Sequence, residues 1–111
     1  MVYAASSAAL ALLEVRVHLD LAPDLLPDDY VLMTIDLTGL STETVDPAPT
    51  DALSFGDDWL AQARTPVLQV PSAIVPENQN FLLNPAHPLA GAARVVATRP
   101  FAIDRRLWLP L

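Results

Sequence analysis

The chain has 111 residues, 52% hydrophobic and 17% charged, with no cysteine, no lysine and a formal charge of −7 from 13 acids against 6 arginines. That length holds one domain around one modest core, and the composition is far from that of a disordered chain. The lack of cysteine removes disulfides, thiolate metal sites and thiol nucleophiles. The acidic balance disfavours a surface that tracks phosphates, so no direct binding of nucleic acid is expected. No apolar run reaches the roughly 18 residues of a membrane helix, the N-terminal one being broken by Glu14 and Arg16. No basic residue precedes that run, as one would in a signal peptide, so a cytoplasmic protein without a membrane span is expected.

Met1 to Ala4 is short and apolar and leads into Ser6 and Ser7, either of which can cap a helix. A helix is predicted from about Ser7 to Leu19. Leu10, Leu13 and Val17 recur in it at helical spacing, and Glu14 falls four residues after Leu10 on the inward side. Leu21 to Asp29, with Pro23 and Pro27 among acids, reads as a loop. Tyr30 to Leu37 alternates as a strand, with Tyr30, Leu32, Thr34 and Asp36 facing one way. Thr38 to Phe55 has no period and reads as a long surface connection.

Gly56 to Arg64 is predicted as a short helix with Asp57 and Asp58 at its positive end, closed by Pro66. Val67 to Val70 and Ala73 to Val75 look like strand pieces separated by Pro71 and Ser72. Pro76 to Asn84 reads as a polar loop ending in apolar Phe81, Leu82 and Leu83. Strands are expected at Arg94 to Thr98 and at Phe101 to Ile103, and the tail from Arg105 to Leu111 is expected to pack on the body. His18 and His87 have no ligand-like spacing with acids, so no metal site is expected, and three glycines make no phosphate loop.

Three segments carry a family resemblance. Val2-Tyr3-Ala4-Ala5-Ser6 leading to Ala9-Leu10-Ala11-Leu12-Leu13-Glu14 is one, Val70-Pro71-Ser72-Ala73-Ile74-Val75-Pro76 the second, and Phe81-Leu82-Leu83-Asn84-Pro85-Ala86-His87-Pro88 the third. Each is weak alone. In this order and at these intervals they resemble the RES-domain family, NAD-degrading or ADP-ribosylating toxins of bacterial toxin-antitoxin systems. Arg99-Pro100-Phe101-Ala102-Ile103-Asp104 is similar to the family's closing strand.

The resemblance implies an α/β (α+β) fold, an ADP-ribosyltransferase-like mixed sheet with flanking helices, as a single RES domain over residues 1–111. It implies NAD as substrate, split at the nicotinamide ribosyl bond, and a cognate Xre-type antitoxin with a helix-turn-helix domain. It also implies Glu14 and Ser72 as catalytic residues and Tyr3, Ser72 and Asn84 as NAD-binding residues. Ser72 would donate to a phosphate or ribose oxygen, and Tyr3 would stack on the nicotinamide or bond its amide. The family's arginine lies on a glycine-rich stretch upstream of the tyrosine, and no residue here matches it. The expectation is therefore a domain lacking its N-terminal strand, inactive in this form, with an open sheet edge that allows homo-oligomers.

Read without the family, Glu14 is a helix-rim carboxylate, Ser72 a turn hydroxyl, Tyr3 a core residue and Asn84 a turn former. A non-catalytic interaction module, or a gene fragment keeping only antitoxin-binding or self-association surfaces, stays open as an alternative.

Overall fold

A computed structural model describes residues 1–19 and 22–108. It is an α+β structure, in agreement with the fold class expected from the sequence. Strand β1 (Val2–Ala5) runs directly into helix α1 (Ala8–His18). Ser7 caps that helix, its hydroxyl accepting the Leu10 N–H at 3.1 Å. Strand β2 (Val31–Asp36) and strand β3 (Thr42–Thr44) precede helix α2 (Ala52–Gln62). Strands β4 (Val67–Pro71), β5 (Gln79–Leu83) and β6 (Arg94–Pro100) complete the set, with 3-10 turns at Pro23–Leu25, Ala90–Ala92 and Arg105–Trp108.

Four strands form one sheet in the order β1-β5-β4-β3, and β2 pairs with β6 in a separate antiparallel ribbon. In the sheet β5 is antiparallel to both its neighbours, while β3 and β4 are parallel. Parallel neighbours need a crossover, and α2 supplies it. Val67 and Leu68 are both buried. Consecutive strand residues point to opposite faces, so both sides of β4 are covered. With them the core holds Leu10, Ala90 and the fully enclosed Trp59 of α2. The Trp59 indole N–H donates to the Thr65 hydroxyl, which in turn donates to the Val67 carbonyl. This chain of bonds ties the end of α2 to the start of β4.

Several sequence expectations are corrected. Helix α2 begins at Ala52 rather than Gly56, because the Asp51 side chain caps it by accepting the Ser54 N–H at 3.0 Å. Asp57 and Asp58 therefore lie within the helix rather than at its N-terminal end. The supposed surface connection from Thr38 to Phe55 contains β3 and the first turn of α2. Ala73 to Val75 is no strand, because the chain turns there to place its N–H groups on Ser72. The supposed loop from Pro76 to Asn84 contains β5, an interior strand of the sheet.

Strand β6 extends to Pro100, and Phe101 to Ile103 is not a strand. Tyr30, just before β2, and Leu32 are both half-buried, in keeping with the shared face expected of them. Past the irregularity at Thr34 and Ile35, however, it is Ile35 that is sheltered, not Thr34 or Asp36. Leu21, which opens the expected loop, and Leu109 to Leu111 of the tail lie outside the described residues. The described part of the tail does reach α1, where Arg16 donates to the Leu107 carbonyl and lies over the Trp108 ring.

Candidate active site

Glu14 lies one helical turn beyond the buried Leu10, so the two share a face of α1. Two strand segments meet Glu14 there. Across the sheet Ala5, Asn80 and Val70 are register partners, so their side chains share a face, and Ser72 follows Val70 by two. Ser72 extends the pairing, its N–H donating to the Asn78 carbonyl at 2.9 Å. From this face the Ser72 hydroxyl donates to Glu14 Oε1 at 2.9 Å, and Asn80 Nδ2 donates to the same oxygen at 2.8 Å.

The direction of the serine bond is fixed by the turn after it. Ser72 Oγ accepts the N–H groups of Ile74 and Val75, both at 3.1 Å, which fills its lone pairs. Its one proton goes to the carboxylate. Ser72 is buried, and its hydroxyl has no further hydrogen-bonding capacity. Glu14 Oε2 differs: it has no hydrogen bond among the described residues, and His18 Nδ1 lies 4.0 Å from it. That ring nitrogen donates at 2.8 Å to the Glu14 backbone carbonyl, one turn back on α1. The Glu14 side chain is 23% exposed, with Oε1 held by two donors.

The structure thus brings Glu14 and Ser72 into direct contact across 58 residues of sequence. Tyr3 pairs with Leu82 on β1 and stands two residues from Ala5, hence on the same face as Asn80 and about 7 Å along the strand. Its side chain is largely in solvent at 74% exposure. Asn84 is not brought to the carboxylate. It follows β5 four residues after Asn80, on the order of 13 Å away along the chain. It is buried, with its amide donating to the Leu60 carbonyl and accepting the Ala86 N–H. His87 Nδ1 accepts the Leu89 N–H in the same turn.

Asn80 escaped the sequence reading because its segment looked like a loop. The signal was present: Pro76-Glu77-Asn78 punctuates two apolar runs as a hairpin turn does, which would have made Gln79 to Leu83 a strand partner of β4.

A RES domain model matches residues 1–104. The Prs ADP-ribosylating toxin of Sphingobium sp. (strain YBL2) is 39% identical over 120 aligned positions, covering 96% of this chain and 74% of that protein. Toxin Res of Pseudomonas putida is 35% identical, covering 97% of this chain and 79% of the relative. Toxin Res of Photorhabdus laumondii is 36% identical, with 96% and 74% covered. With a buried serine holding a helix carboxylate on an α+β sheet, and relatives named as toxins aligned across nearly its whole length, this chain belongs to the RES-domain family. No helix among the described residues is long and apolar enough to cross a membrane.

Proposed function

We propose that this protein is the toxin of a toxin-antitoxin pair and that it cleaves NAD with Glu14 at the reacting ribose. The observation that carries the reading is the Glu14 carboxylate, held through Oε1 by Ser72 and Asn80 while Oε2 is left without a protein partner among the described residues. The name of the Sphingobium relative supports NAD as the substrate, since ADP-ribosylation draws its ADP-ribose from NAD.

In this reaction the bond between the nicotinamide nitrogen and the ribose carbon breaks, its electron pair neutralising the pyridinium. The ribose passes through an oxocarbenium-like state, then bonds to an oxygen of water, phosphate or a protein, and that acceptor's proton is released. A fixed carboxylate beside the cation stabilises it without reorganising, and it can orient the incoming acceptor. Tyr3, exposed on the same face, is proposed to stack on the nicotinamide or bond its amide. Ser72 acts through the carboxylate it holds. Asn84, whose amide is engaged at Leu60 and Ala86, would bind NAD only by giving up one of those bonds. The proposed setting is the cytoplasm, with an Xre-type antitoxin as partner.

The exposed valines and methionine of the β2–β6 ribbon, Val31, Met33, Val95 and Val96, favour a second reading as a non-catalytic interaction module. Glu14→Gln separates the two. It keeps the shape and removes the charge, so NAD consumption by the full-length protein should fall by about 10² to 10³ while circular dichroism stays unchanged. Consumption at the unmutated rate would sink the catalytic reading.

A further inference from the structure

We propose that Asn80 is a positioning residue for Glu14. Together with the Ser72 hydroxyl, its amide N–H fixes Oε1 and reserves Oε2 for the reacting ribose. The inference rests on the NAD-cleaving reading and adds to it a residue that sets the geometry of the carboxylate.

A glutamate side chain on a helix has three rotatable bonds, and one hydrogen bond leaves it free to pivot. Here two donors from different segments converge on one oxygen, at 2.9 and 2.8 Å. Neither donor can be reversed. The Ser72 oxygen is filled by two backbone N–H groups, and turning the Asn80 amide over would set its carbonyl oxygen against a carboxylate oxygen. Asn80 sits on an interior strand, paired on both sides through Ala5 and Val70, so its Cα has little freedom.

The other half of the amide points the same way. Asn80 Oδ1 is buried and, among the described residues, has no hydrogen-bond partner. Buried polar atoms are nearly always satisfied, so an exception calls for a reason. A leucine of similar shape would bring no orphaned oxygen to this place. What asparagine supplies, and leucine does not, is the N–H on Glu14.

Two near-isosteric substitutions test this in the full-length protein. Asn80→Leu removes the donor together with the orphan, so its melting temperature should not fall, while kcat for NAD drops about a hundredfold and KM changes by no more than about threefold. Asn80→Asp sets a second carboxyl against Glu14, and two such groups share one proton. Lowering the pH from about 8 to about 5.5 should restore that donor, so kcat recovers in Asn80→Asp relative to Asn80→Leu. His18 faces Glu14 in both variants and cancels in the comparison.

A kcat kept by Asn80→Leu, or no acid recovery in Asn80→Asp, would overturn the proposal. A loss confined to KM would make Asn80 a substrate contact instead, and also overturn it. If Glu14→Gln itself keeps full turnover, the NAD-cleaving reading has failed and the clamp with it as a catalytic device. The contact alone is then judged by nuclear magnetic resonance of the same protein, where an Asn80 side-chain amide proton should lie downfield and move upfield in Glu14→Leu. An amide resonance indifferent to Glu14 would remove the clamp altogether.

Discussion

The four-stranded sheet and the β2–β6 ribbon are built from similar residues and end in opposite conditions. In the sheet β4 has Val67 and Leu68 buried on opposite faces, and no residue of β5 is fully exposed. In the ribbon every residue of β6 is exposed, Val95 and Val96 included. The described residues have a radius of gyration of 15.3 Å, against about 13 Å for a compact domain of this length. Hydrophobicity along a strand therefore does not decide burial here. What decides it is whether a helix or second strand layer covers the face, and the Glu14 site lies where α1 does so.

The sharpest way to break this contrast is Trp59→Ala, which empties the centre of the sheet half and severs the bonded link through Thr65 to Val67. It should cost about 3 to 5 kcal/mol, read by urea denaturation. A loss under 1 kcal/mol would mean the sheet half is not the core.

A smaller effect of opposite sign is expected at Ala63. It ends α2 in the left-handed conformation at φ 48°, where a Cβ is strained. Ala63→Gly should raise stability by roughly 0.5 to 1 kcal/mol. A drop in the urea midpoint would show that the strain is not there.

Smaller again is Val95→Thr in the ribbon, which keeps the shape at an exposed position and should shift stability by no more than about 0.5 kcal/mol. A large loss would reveal that the ribbon face is covered in solution.

Least in consequence is the exposed pair on the tail, where the Arg106 guanidinium, and then its backbone N–H, hold the Asp104 carboxyl down to about 2. A depressed carboxyl means the unfolded chain binds the proton first, so stability rises with pH in that range. The contribution is present above the ordinary aspartate value of 3.8 and lost as pH falls through about 2. Carboxyl carbon shifts of Asp104 against pH should show that midpoint. One near 4 would mean the pair does not persist in solution.

Local signals explain what could be read in advance. Ser7 and the apolar spacing after it located α1, and with it Glu14, because a cap and a period lie in adjacent residues. The strands at Tyr30 and Arg94 were legible from their own composition, though their mutual pairing was not. Strands β3 and β5 were missed because three residues of Thr-Glu-Thr, or a strand opening on Gln79 and Asn80, have no period to read and owe their form to their neighbours. The family motifs pointed to Glu14 and Ser72 separately. That the two touch, and that Asn80 joins them, depends on the register of β4 against β5, which no short window contains.

The strand order has one more consequence, in time rather than in space. Glu14 leaves the ribosome early, but its partners stand 58 and 66 residues later, and β1 cannot pair before β5 exists. At typical elongation of roughly 5 to 20 residues per second, the carboxylate waits several seconds without its clamp. Non-local pairing then adds its own delay. The arrangement around Glu14 is therefore among the last things the nascent chain acquires, and a ribosome that stalls before β5 releases a polypeptide with the glutamate but not the site.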